Sequence, residues 1–258
     1  MPPRPPSPRP RLPSACPPPL VTTTATRQTL AFMEGHVQSD MLLAHPTRLV
    51  LAYTRAMMCF ALFVPRPRHI VMVGLGGGSL AKFCYRHFPE ARITVLELRA
   101  DVIALRARFA VPPDDARFRV VHADATHWLA TAPDSCDVLV VDGFDASGLP
   151  PALGSARFYG DCRRALHQGG VLVANIFSYD PHYGRMHARL DLMFDQRLCW
   201  FDKVAGNNRI LFAVKAAPGG GEGRALRLQR WVARRQGLGN GVLNRLLVRF
   251  LIAWLTRR

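Results

Sequence analysis

Three short apolar runs in this sequence end at carboxylates, and another runs into a cluster of glycines. Arg92–Leu96 leads to Glu97, Phe118–His122 leads to Ala123-Asp124, and Cys136–Val141 leads to Asp142 with Asp145 close behind. The glycine run is His69-Ile70-Val71-Met72-Val73-Gly74-Leu75-Gly76-Gly77-Gly78-Ser79. Gly74, Gly76 and Gly78 permit positive φ and let a ligand approach the backbone with no Cβ in the way. Glu97 stands 19 residues past Gly78, where a carboxylate can accept from both hydroxyls of a ribose. Asp124 can accept from an adenine amino group. Asp142 and Asp145 can hold a cation or take a proton from an amine. The G-x-G-x-G spacing, in place of G-x-G-x-x-G, favours a sulfonium nucleoside over a dinucleotide, because no pyrophosphate needs room at the helix N-terminus. Each feature alone has an ordinary reading, a tight turn or a helix cap. Their succession points to an adenosine-bearing ligand.

These residues need a frame that brings strand ends together. The pattern predicts strands at His69–Val73, Arg92–Glu97, Phe118–His122, Cys136–Val141 and Val171–Phe177. Between them it predicts helices Leu80–Phe88 (capped by Ser79), Asp101–Phe109, Ala125–Ala130 and Phe158–Leu166, the last capped by Gly169-Gly170. Gln196–Val204 and Arg209–Val214 read as a closing antiparallel pair turning at Gly206-Asn207-Asn208. Upstream, Val21–Phe32 reads as one strand of a small β element. Val37–Asp40 reads as a polar approach, and Arg48–Phe63 as a helix capped by Thr47. Strands alternating with helices at this spacing mean α/β architecture: a doubly wound, mainly parallel sheet of the class I methyltransferase-like Rossmann kind. In such a sheet, ligands sit beyond the carboxyl ends of the strands.

The division that follows is a Pro/Arg-rich tail at 1–20, a β element and helix at 21–64, a nucleoside-binding catalytic domain at 65–216, and a Gly linker with basic helices at 217–258. Ten of the first nineteen residues are proline, so the tail is expected to be disordered or polyproline-like, and it lacks the apolar core of a signal peptide. The net charge is +16 over 258 residues, but four Arg without an acid lie in 1–33 and nine without an acid in 224–258. The middle carries a net charge of only +3. The basic ends need not mean a nucleic-acid partner, and none specific is expected. Val242–Leu255 sets Leu243, Leu246, Leu247, Phe250, Leu251 and Trp254 at helical spacing with Arg245 and Arg249 between. That helix docks on the body, pairs with a partner, or lies peripherally on an anionic membrane. Six cysteines without a C-x-x-C pair or a neighbouring His cluster suggest neither a disulfide framework nor a metal site, and favour the cytoplasm.

From about Gln38 to Val214 the chain resembles the spermidine synthase (polyamine aminopropyltransferase) family, a branch of the S-adenosylmethionine-dependent methyltransferase fold. The similar stretches are Val37-Gln38-Ser39, the Val73–Gly78 turn, Leu96-Glu97-Leu98 with Asp101-Val102-Ile103, Ala123-Asp124-Ala125, Asp137–Asp145, and Phe158-Tyr159 with Cys162, Leu166 and Gly169-Gly170. The resemblance implies Glu97 on the donor ribose, Asp124 on its adenine and Gln38 beside the donor. It also implies Asp142 as the base and Asp145 as a residue that holds the amine acceptor. It implies a homodimer, no metal, and decarboxylated S-adenosylmethionine as co-substrate.

Three departures bear on chemistry. The family's glycine turn carries an aspartate where Gly77 stands, a second acid is replaced by Arg99, and Ser-Ser after the catalytic aspartate is Gly143-Phe144. Losing an anion and gaining a cation would favour ordinary S-adenosylmethionine, which keeps its carboxylate. Aminopropyl transfer therefore stands first, methyl transfer second, and a non-catalytic nucleoside-binding or membrane-associated module third.

Overall fold

The computed structural model describes residues 17–144, 148–201, 204–216, 227–232 and 241–257. Strand β4 (His69–Val73) has every residue buried, which only a sheet covered on both faces allows. It pairs in parallel with β5 (Arg92–Glu97) on one side and β7 (Cys136–Val141) on the other. Outside β5 lies β6 (Phe118–His122), and outside β7 lies β8 (Leu166–Phe177), both parallel to their neighbours. Two antiparallel strands, β10 (Asn208–Val214) and β9 (Leu198–Trp200), finish the sheet in the order β6-β5-β4-β7-β8-β10-β9. The chain moves outward from β4 to β5 and β6, then crosses to the other side for β7. That reversal opens a crevice above the ends of β4 and β7, the expected place for a ligand. The doubly wound reading of the sequence holds.

Several local expectations change. Val21–Phe32 is two strands, β1 (Leu20–Thr23) and β2 (Arg27–Ala31), because Thr24 makes a turn: its hydroxyl bonds the Arg27 carbonyl and accepts from the Arg27 N–H. Val37–Asp40 belongs to β3 (Val37–Leu42), which completes a three-stranded antiparallel sheet. The helix expected from Arg48 starts at Ala52, because the Arg55 guanidinium takes the carbonyls of Leu49 and Val50 and holds them out of helical register. It also breaks in two, α1 (Ala52–Met57) and α2 (Phe60–Phe63). Ser79 is the first residue of α3 (Ser79–His87), and the cap position is Gly78, at φ 67°. Helix α4 (Ala100–Ala104) stops short of Phe109, and α5 (Ala125–Ala130) falls where the pattern put it. Gly169-Gly170 does not cap α6 (Ala156–Ala165). It lies inside β8, at a register shift opposite Cys136 and Val138. The tail over 1–16 and the linker over 217–226 lie outside the described residues.

Helix α7 (Tyr183–Met193) covers one face of the sheet with α5 and α6. The other face is shared more widely. Leu30 and Met41 of the small sheet, Met57 and Phe60, and Val248, Leu251 and Leu255 of the last helix, α9 (Gly241–Thr256), bury into one cluster with Ile70 and Phe109. A short helix, α8 (227–232), precedes it.

Lys82 on α3 is the unusual member of that interior. It is 2% exposed, donates to the Phe109 carbonyl at 2.6 Å and lies 3.1 Å from the Met41 sulfur. Burial lowers its pKa to about 8. The folded chain therefore binds this proton more weakly than the unfolded chain, at 10.5. The cost is full below the folded value and vanishes as pH rises through the unfolded one. Lys82→Met is expected to raise unfolding free energy by ~1–3 kcal/mol at neutral pH, with the gain shrinking near pH ~10. Denaturant unfolding at the two pH values checks this. A variant no more stable at neutral pH would show that the two acceptors already compensate the charge.

Candidate active site

The ends of β4, β5 and β7 surround a cavity of about 220 Å³, closed on one side by β3 and α1. Gly74 leaves β4 at φ 94°, and any Cβ there would collide with the Asp142 carbonyl oxygen. The glycine is what allows β4 and β7 to end so close together. Gly76 also lines the cavity. Gly78 does not: its place is the left-handed start of α3, packed on Val111.

Glu97 is held by backbone. One oxygen accepts from the Leu75 N–H and the other from the Arg99 N–H, both at 2.8 Å. Burial raises its pKa, and those donors, with the Leu98 N–H and the Arg99 charge, oppose the rise. A carboxylate has about four lone-pair sites. Glu97 lines the cavity, and what these donors leave of its acceptor capacity is available to a ligand hydroxyl. Asp124 is the N-cap of α5: its Oδ1 accepts from the Thr126 N–H and hydroxyl, each at 2.7 Å. Partial burial pushes its pKa up, but the Thr126 bonds and His127 outweigh this and hold it low. Capping and lining are both true of Asp124: its Oδ2 lies 3.2 Å from the exposed His127 Nδ1 and keeps a lone pair that a ligand can use.

Asp142, at the end of β7, is held from the opposite wall. Asn175 of β8 donates to its Oδ1 at 2.9 Å, and Asn175 accepts from Asn208 of β10 at 3.0 Å. The Tyr53 hydroxyl of α1 donates to the Gln38 carbonyl at 3.3 Å and stands near enough to the Asp142 carboxylate to lower its pKa. Burial raises the pKa of Asp142, and the two donors hold it back only in part. Tyr53 and Asn175 were not legible as site residues in the sequence. Neither sits in a recognisable spacing with Asp142, and only the sheet order and the packing of α1 bring them there.

Gln38, Gly74, Gly76, Glu97, Asp124 and Asp142 thus meet at one cavity. Asp145 lies outside the described residues. The two departures that pointed to a carboxylate-bearing donor differ in where they stand. Gly77 does not line the cavity: its N–H donates to Ser39 Oγ at 3.0 Å, and a Cβ there would come 2.8 Å from Ser39 Cβ and from Phe109. Arg99 is engaged with Asp101 through Nε at 3.0 Å and Nη2 at 2.7 Å. It also donates to the Pro17 carbonyl and lies 4.8 Å over the Phe32 ring. It lines the cavity all the same, and its charge acts on Glu97 there as well as on Asp101. Just after Asp142, Phe144 packs on Phe177 at 4.5 Å, and Gly143 gives room to Leu153. That wall, with Pro150 and Ala152, is apolar.

A Spermine/spermidine synthase domain model matches residues 50–185. A polyamine aminopropyltransferase of Neisseria meningitidis serogroup A is 37% identical over 184 residues, covering 70% of each chain. The chain belongs to the spermine/spermidine synthase family. Among solved structures, a probable spermidine synthase from Corynebacterium glutamicum superposes with a TM-score of 0.66 at 22% identity, covering 76% of each chain. Human methyltransferase-like protein 13, in complex with SAH, superposes at 0.58 with 22% identity, covering 72% of this chain and 92% of that one. These two likenesses show the shared methyltransferase-like fold. The family relation favours neither of the two rival readings, methyl transfer or a non-catalytic module. None of the helices among the described residues is long and apolar enough to cross a membrane.

Proposed function

We propose that this member of the family moves an aminopropyl group from decarboxylated S-adenosylmethionine to a primary amine, with Asp142 as the base. The observation that carries the reading is the buried Asp142 carboxylate, its pKa raised by burial, facing one cavity with Glu97 and Asp124. In this reading Glu97 takes the ribose hydroxyls, Asp124 Oδ2 the adenine amino group, and Gln38 lies beside the donor. Asp145 holds the acceptor, an assignment that rests on the family resemblance. The amine nitrogen attacks the carbon next to sulfur, the C–S bond breaks, and methylthioadenosine leaves. The proton lost by nitrogen goes to Asp142. An oriented amine, neutral and in line with the C–S bond, supplies much of the rate.

A homodimer and a cytoplasmic location belong to the same proposal. The first is supported by the resemblance, the second by Cys59, Cys84, Cys136, Cys162 and Cys199, which are buried free thiols. The test is turnover by the purified protein with decarboxylated S-adenosylmethionine and a panel of diamines, reading methylthioadenosine release. Release that depends on a diamine is the expected result. Methyl transfer from ordinary S-adenosylmethionine with no aminopropyl product would overturn the proposal.

A further inference from the structure

Helix α9 uses one side of its surface for the core and leaves the other in water. Asn244, Val248, Leu251 and Leu255 are buried, and α9 packs beside α1. On the outer side Leu243, Leu246 and Phe250 follow one another at helical spacing, 47%, 52% and 71% exposed. Arg245 and Arg249 stand exposed beside this stripe. The charge continues past the helix: Arg55 of α1 is depressed in pKa by burial first, and then by the nearby charges of Arg249 and Arg48. Over 224–258 the chain has nine arginines and no acid.

An apolar stripe of this kind, flanked by one sign of charge, has to be matched by its occupant. A second copy meeting it across a two-fold axis would bring Arg245 and Arg249 against their own counterparts, with no acid to relieve them. A nucleic-acid backbone would pair with the arginines but leave three large apolar side chains against phosphate. An anionic bilayer satisfies both parts: the side chains enter the acyl boundary while the guanidiniums stay at the headgroup phosphates. We propose that the outer face of α9 docks on an anionic lipid surface, holding the enzyme peripherally.

The experiment is co-sedimentation of the full chain with phosphatidylcholine vesicles, with and without phosphatidylglycerol. We expect binding only to the anionic vesicles, weakened at least ~10-fold by raised salt. Leu246→Glu/Phe250→Glu and Arg245→Glu/Arg249→Glu should each lose at least ~10-fold in vesicle affinity. Both pairs are exposed and neither lines the cavity, so turnover without vesicles should match the parent. Four results would each overturn the proposal. They are no vesicle binding, equal binding to neutral vesicles, unchanged binding by both variants, and capture of RNA in place of vesicles. Light scattering adds a fifth: a dimer in the parent that Leu246→Glu/Phe250→Glu dissociates would make the face a self-interface.

Discussion

Asp142→Asn is expected to lower kcat by ~10²–10⁴-fold while leaving affinity for methylthioadenosine nearly unchanged. The amide keeps the shape of the carboxylate and can still accept from Asn175, but it cannot take the amine proton. The same substitution should stabilise the fold. Burial raises the Asp142 pKa above that of an unfolded carboxyl. The folded protein therefore favours the protonated form, and stability falls as pH rises through the unfolded and then the folded pKa. The neutral amide does not pay that penalty. Thermal unfolding near neutral pH and steady-state kinetics together check both halves. Lost nucleoside affinity would remove Asp142 from its assigned role. A companion change separates positioning from packing. Asn175→Leu removes a donor from the carboxylate, so the acid limb of the pH–kcat profile should move to higher pH, with rate recovered above it. An unmoved limb would mean that Asn175 only fills space.

Glu97→Gln should weaken binding of decarboxylated S-adenosylmethionine by ~10–100-fold, with kcat at saturating donor little changed. The reason lies in the backbone. Both oxygens of Glu97 already accept from N–H groups, of Leu75 and Arg99. An amide turns one of those acceptors into a donor, so it faces an N–H with an N–H and offers the ribose one acceptor fewer. A buried donor left unpaired costs ~1–3 kcal/mol, of the same order as the predicted loss of affinity. Calorimetry with methylthioadenosine measures it directly. Affinity equal to that of the parent would place the ribose elsewhere. The contrast between the two variants is diagnostic: one is seen in turnover, the other in binding.

Much of this arrangement was legible along the chain because it is built from local signals. The apolar run into Gly74, and the acids that end β5, β7 and the stretch after β6, are adjacent in sequence to the strands that position them. The sheet order then only has to bring the strand ends together. What was not legible depends on packing across the fold. Arg55 delays α1 by binding carbonyls that a helix would have used, and no propensity scale records that. Tyr53 comes near Asp142 only because α1 packs over β8 and β10. Asn175 reads as an ordinary polar residue in an apolar strand until its neighbour is known. Nor does residue type reveal that Arg99 lines the cavity while paired with Asp101, or that Gly77 faces Ser39 instead of the cavity. An acid restored at position 77 would have to displace Ser39 before it could reach a donor.

That last contact has a bearing on how such enzymes can be recombined. Position 77 belongs to the glycine turn and position 39 to the small sheet, and between them there is room for one serine and no more. A crossover placed anywhere from Leu43 to His69 would join one parent's sheet to another parent's turn. It would succeed only where the two parents agree at both positions. In a shuffled library, survivors should inherit residues 39 and 77 as a linked pair, although 38 positions separate them in the gene.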